Sequence, residues 1–178
     1  EYSYAREALL DNLYEVATLN LLVTPKIPEN CAALIIAAPQ QSLTSNEVDI
    51  VQDYLENGGK ALILVNPNPP PGMKQLLSLW GVEIEGGIVI DSSSYVSPNK
   101  NTPLVTGERN FLSLPKIYFP GATAIILQPE YTPQLIQSEG GGNQAVWMSE
   151  DSQTQIFLLL GTTEDSWLER DFDTSQEP

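Results

Sequence analysis

Runs that are apolar at every position alternate with stretches apolar at every third or fourth position, and this alternation organises the first half of the chain. Over residues 1–17 the apolar positions Leu9, Leu10, Leu13, Val16 and Ala17 share one side of a 3.6-residue period, which predicts a helix. Residues 18–23 (TLNLLV) read as a short strand, and Pro25 and Pro28 break the chain into a loop. Residues 32–38 (AALIIAA) are apolar on both faces, as a central parallel strand is. The period then changes. Thr44 with Glu47 three residues later matches a capping box, and Val48, Val51, Tyr54 and Leu55 form one apolar stripe. Gly58 and Gly59 are a stop signal, because glycine tolerates the left-handed C-cap. Residues 60–65 (KALILV) form a second buried strand. Strand, capped helix and strand with short links predict a right-handed βαβ unit.

The second half is weaker in pattern. Residues 66–72 (NPNPPPG) are a proline-stiffened loop, followed by a helix over 73–80 that Gly81 ends. Residues 82–85 and 87–90 read as strands around a Gly86-Gly87 turn, 91–102 as polar loop and 104–120 as irregular. Residues 122–127, 135–137, 145–148 and 155–160 read as further strands, with a glycine-rich turn at 139–143. From Glu164 the chain is acidic and is expected to end in a disordered tail at 172–178. Residues 1–171 are therefore expected to form a single α/β domain, with a mostly parallel sheet, helices on both faces and an irregular β-rich carboxyl-terminal part. A chain starting at Glu1 is expected to be part of a longer protein.

Composition narrows the functional classes. Across 178 residues, 23 acids face 8 bases, for a formal charge of −15. The bases are scattered, so no stripe exists to neutralise phosphates, and nucleic acid is not an expected partner. The chain has no histidine, which removes the commonest general base and metal ligand. Cys31 is the one cysteine, so neither an internal disulfide nor a cysteine zinc site can form, and it is expected to pack as a small hydrophobe. No metal and no cofactor are expected. The acid pairs Glu150-Asp151 and Glu164-Asp165 lie at expected loop ends and read as solvated charge rather than a glycosidase pair. Asp91-Ser92-Ser93-Ser94 lacks the spaced oxygens of a calcium loop and reads as a turn with local side-chain-to-backbone bonds.

Four blocks together resemble a known family. They are IPENCAALIIAAPQQSLTSNEVDIVQDYLENGGKALILVNP at 27–67, LLSLWGVEIEGGIVID at 76–91, NTPLVTGERNFLSLPKIYFPGA at 101–122 and LLLGTTEDSWLERD at 158–171. Their order resembles the extracytoplasmic domain of the gliding-motility-type (GldG-like) auxiliary proteins of ABC transport systems. The resemblance implies a flavodoxin-like, class I glutamine-amidotransferase-like fold without catalytic residues, similar to a module of an intraflagellar-transport subunit. It implies an accessory domain anchored to the membrane by helices outside this chain. Its partner would be the permease and ATPase assembly or another membrane protein. An enzyme of the amidotransferase-like fold is disfavoured on the residues themselves. Asn66 stands where such a sheet places its nucleophile, prolines preclude a tight elbow, and no histidine is present to serve as base.

Ligands of open α/β sheets sit beyond the carboxyl ends of the strands. The expected binding surface is therefore Gln40 and Gln41 after the first buried strand, Asn66 and Asn68 after the second, and Ser92 after the strand at 87–90. A partner protein with a basic patch fits the charge. A neutral polysaccharide, recognised by the amides and by Trp147 or Trp167, is the alternative reading.

Overall fold

The computed structural model describes residues 2–107, 115–137, 143–149 and 154–171. The segments at 139–142, 150–153 and 172–178, which include the glycine-rich turn, the Glu150-Asp151 pair and the acidic tail, lie outside them. In chain order the elements begin with α1 (Ser3–Asp11), β1 (Leu34–Ala37), α2 (Ser45–Glu56), β2 (Ala61–Leu64) and α3 (Pro71–Ser78). Short strands follow: β3 (Val82–Ile84), β4 (Ile88–Asp91), β5 (Tyr95–Val96), β6 (Asn99–Val105), β7 (Ile117–Tyr118) and β8 (Ile125–Leu127). The last are β9 (Thr132–Gln137), β10 (Asn143–Met148), β11 (Gln155–Phe157) and β12 (Ser166–Glu169).

The βαβ unit forms as the pattern predicts. Glu47 N–H donates to Thr44 Oγ1 at 3.3 Å, and Thr44 N–H donates to Glu47 Oε2 at 2.9 Å, which closes the capping box. At the other end Gly59 N–H reaches the Tyr54 carbonyl and Gly58 N–H the Leu55 carbonyl, with Gly58 at φ 86. This is a Schellman cap, and only glycine takes that φ without strain. The strands β1 and β2 pair in parallel, with Leu34 beside Ala61 and Ala37 beside Leu64. Their inner face, Leu34, Ile36, Ile63 and Val65, packs on Val48 and Val51 of α2 and Met73 and Leu76 of α3. Those four helix residues are buried completely or nearly so and make the main core.

The expectation of a mostly parallel, flavodoxin-like sheet with helices on both faces is corrected by the rest of the chain. Among the described residues only β1 and β2 pair in parallel, and the other strands form small antiparallel sheets: β3 with β8, β4 with β12, β5-β6-β7 and β9-β10-β11. Connection length accounts for the hairpins. A parallel neighbour needs a crossover of a dozen or more residues, usually a helix. Only residues 97–98 separate β5 from β6, so that pair can be antiparallel alone. The pairs β3–β8 and β4–β12 join strands far apart in the chain, and their antiparallel sense is set by tertiary pairing.

Three local expectations also change. Residues 18–23 are not a strand: Asn20 Oδ1 accepts from the N–H groups of Leu22 and Val23, and the Asn20 carbonyl accepts from Thr24 N–H. This side-chain turn takes the groups that a ladder would have used. The first helix ends at Asp11 instead of residue 17, where Asn12 bonds back to the Ala8 carbonyl and Leu13 turns left-handed at φ 66. The polar stretch at 91–102 holds β5 and the start of β6. No helix among the described residues is long and apolar enough to cross a membrane.

Candidate functional site

The parallel register fixes where two loops emerge. Ala37 ends β1 beside Leu64, and Ala38 N–H donates to the Leu64 carbonyl at 2.8 Å as the last rung of the ladder. The chain after β1 (38–43) and the chain after β2 (65–70) therefore leave the sheet side by side. They are also tied together. Gly72 N–H donates to Ser42 Oγ at 2.9 Å, and Gly72 presses so closely on Leu43 that an added Cβ would stand 2.2 Å from the Leu43 carbonyl oxygen. Pro69 is buried beneath this junction and Pro71 opens α3, where its missing N–H costs nothing.

Gln40, Gln41, Asn66 and Asn68 are exposed on these two loops. Gln40 Nε2 donates to the Ala38 carbonyl at 2.9 Å. Asn68 Oδ1 lies against the next turn, 3.0 Å from where a Cβ on Gly86 would stand. Ala38 itself has φ 42, a left-handed conformation that costs a non-glycine residue on the order of 1 kcal/mol. Such strain persists only where surrounding structure holds it, here the rung to Leu64 and the Gln40 amide. The structure thus brings four of the five expected residues to one edge. It does not bring Ser92 there: Ser92 follows β4, which pairs with β12, and its hydroxyl donates to the Asp165 carbonyl at 3.2 Å.

The sequence reading of residues 91–94 as a locally bonded turn holds in part, but it missed the larger contact. Asp91 is fully buried. Its Oδ1 accepts from the N–H groups of Ser93 and Ser94, at 3.0 and 2.8 Å, and from the Thr163 hydroxyl at 2.7 Å. Its Oδ2 accepts from Thr163 N–H at 3.0 Å. Burial pushes the carboxyl up, but the Thr163 backbone and hydroxyl, with the Ser94 and Ser93 N–H groups, outweigh it and hold the carboxyl below its ordinary value. Ser93 Oγ also donates to Asp165 Oδ2 at 2.5 Å, and Arg170, just after β12, pairs with Glu85, just after β3. The carboxylate thereby holds the Ser93-Ser94 turn to Thr163. The signal in the sequence was the pairing of an aspartate that ends one block with a threonine in another, and spacing alone does not connect residues this far apart.

A cleft of about 610 Å³ opens at the opposite, amino-terminal end of the parallel pair, between the Pro25–Pro28 loop and the end of α2. Cys31 and Tyr54 meet in it, with the Tyr54 hydroxyl 3.9 Å from Cys31 Sγ. Burial pushes the Tyr54 phenol up, the Lys60 backbone works against this, and Cys31 adds to the rise. The hydroxyl bonds to both the N–H and the carbonyl of Lys60 at 3.2 Å, so it splices α2 to the start of β2. No group of three or more cysteine or acidic residues that could hold a metal occurs among the described residues.

These observations define a small domain in which one βαβ unit carries a paired-loop edge and short antiparallel sheets complete the rest. Its fold is similar to a solved structure titled "mmIFT52 N-terminal domain", with a TM-score of 0.54 and 14% sequence identity over 90% of this chain and 80% of that one. No curated protein matches the chain by sequence. A family model described as "ABC-type uncharacterized transport system" matches residues 1–176, and the chain belongs to that family of ABC transport auxiliary domains.

Proposed function

We propose that this chain is a non-catalytic, extracytoplasmic accessory domain of the gliding-motility type, which docks a protein of its ABC transport system on the paired loops after β1 and β2. The clasp between Ser42 Oγ and Gly72 N–H carries this reading. It joins two loops 30 positions apart into one platform before any partner arrives, and a preorganised surface spends less of its binding free energy on ordering. The strained Ala38 sits at the root of that platform, where functional edges often store strain. The charge of −15 favours a partner with a basic patch and speeds its approach at low salt. The non-catalytic part rests on the chain having no histidine. The extracytoplasmic placement rests on the sequence resemblance.

The test is co-purification of the domain with the permease and ATPase of its own system. The Asn66→Ala, Asn68→Ala double variant should weaken the association about tenfold or more, the loss expected when polar contacts at a buried centre are removed. An Asn57→Ala change, at the opposite cleft, should leave it intact. The reverse pattern would place the docking surface at the cleft and overturn the reading.

A further inference from the structure

Two apolar surfaces of this chain face solvent, and they match in kind. The first is the outer face of the β1–β2 pair. The register sets Ile35 beside Leu62 and Ala37 beside Leu64, on the side away from α2 and α3. Ile35, Leu62 and Leu64 are 50%, 53% and 41% exposed. Parallel sheets are otherwise found with both faces covered. The second is the amino-terminal segment. Helix α1 buries no residue in its own chain, and Tyr4, Leu10, Leu13 and Tyr14 are exposed on it or just beyond its end. A helix of nine residues is not stable alone in water and draws its stability from packing.

We propose that each surface is the seat of the other across a two-fold axis. The segment around α1 of one copy lies on the outer face of β1–β2 in a second copy, and the second copy returns the contact. The contact is independent of the paired-loop site. Two features of the chain favour a second copy as the occupant. Leu21 and Ile27 anchor the segment after α1 against the core on the inner side of the sheet, and the chain's own α1 leaves the outer face open. An exchanged segment also makes the contact twice by symmetry. Seven large side chains per contact, doubled, place on the order of 1,000 Å² of apolar surface between the copies, counting about half of each side chain as newly covered. That approaches the size of a stable interface, about 1,200 Å² at the low end, whereas one unreciprocated contact falls well short.

Charge supplies a distinctive signature. Each copy carries −15, so the copies repel and the attraction is apolar. Salt screens that repulsion, so association should strengthen as salt rises. An interface held by ion pairs would weaken instead.

Sedimentation of the chain at high micromolar concentration should show a dimer whose fraction grows with salt. Leu62→Asp on the sheet face and Leu13→Asp beyond α1 should each weaken dimerisation about tenfold or more, with circular dichroism unchanged because both side chains are exposed. In a Cys31→Ser background, Leu10→Cys combined with Leu62→Cys should give a disulfide-linked dimer on oxidation. A chain that sediments as a monomer at high salt overturns the proposal. So does a disulfide that closes within one chain, which would make the chain's own helix the occupant.

Discussion

The unit from β1 to α3 and the sheets from β3 to β12 are stabilised by different means. In the first, the fully buried side chains at the centre are apolar: Val48, Val51, Met73 and Leu76. In the second, Ile84, Val89, Ile90, Val105 and Val146 are buried, but they are spread over short strands, and a fully buried carboxylate, Asp91, lies among them. Element length explains the contrast. A 12-residue capped helix presents a continuous apolar stripe that several side chains share. A strand of three or four residues has few side chains to bury: β3 buries Ile84, and β4 buries Val89, Ile90 and the polar Asp91. Where each element buries little, turns must be joined by polar contacts, and Asp91 with Thr163 does so between β4 and β12.

The strongest way to break the comparison is to truncate the apolar centre. Leu76→Ala should cost about 3–5 kcal/mol, because a fully buried leucine leaves a cavity between α2, α3 and the inner sheet face. Urea unfolding measures the loss. Hydrogen exchange locates it: β1 and β2 amides should lose protection before those of β4 and β12. Equal loss in both regions would mean that one cooperative core spans the chain and that the contrast drawn here is false.

Next in size is the polar lock. Asp91→Asn leaves one acceptor and turns the other into a donor facing the N–H and hydroxyl donors of Ser93, Ser94 and Thr163. A cost of about 2–4 kcal/mol follows from unsatisfied buried donors and lost charge-assisted bonds. The parent protein carries a matching pH dependence. The folded carboxyl titrates below its ordinary value of 3.8, so the unfolded chain binds the proton first. The stabilisation is complete above that ordinary value and is lost as pH falls from there through the folded value. Acid titration of parent and Asn variant should show a steeper decline in the parent below about pH 4. Parallel curves would sink the assignment of the lock to Asp91.

The same contrast explains what was legible. The capping box, the glycine stop, the both-face apolar runs and their parallel pairing could all be read because each is a local pattern with a local cause. The parallel reading failed beyond α3 because apolar runs such as 87–90 look alike in parallel and antiparallel sheets, and the partner that decides, β12 for this run, lies far along the chain. The strands β6 and β12 were missed because NKNTPLV and SWLE carry proline, asparagine and charge with no clean alternation. Four of the five residues expected to bind share one edge because the parallel pairing that places them was legible. Ser92 lies away from that edge because its position depends on the β4–β12 pairing, a contact across more than 70 positions. Likewise, nothing near Asn20 in the sequence beyond the asparagine itself announces that its side chain replaces a strand with a turn.

The smallest effect should come from the cap of α2, and it sharpens the comparison because it tests a local device inside the apolar unit. Thr44 Oγ1 accepts from Glu47 N–H, and its own N–H is met by the Glu47 carboxylate, itself favoured at the positive end of the helix. Thr44→Ala removes the hydroxyl and one satisfied donor but leaves Val48 and Val51 in place. The loss should be about 1 kcal/mol, typical of an exposed N-cap, against several for Leu76→Ala. Thermal unfolding of the two variants gives the ratio. If the cap variant lost as much as the core variant, α2 would depend on its end and not on the stripe it buries, and the apolar unit would then be held by polar contacts as the Asp91 region is.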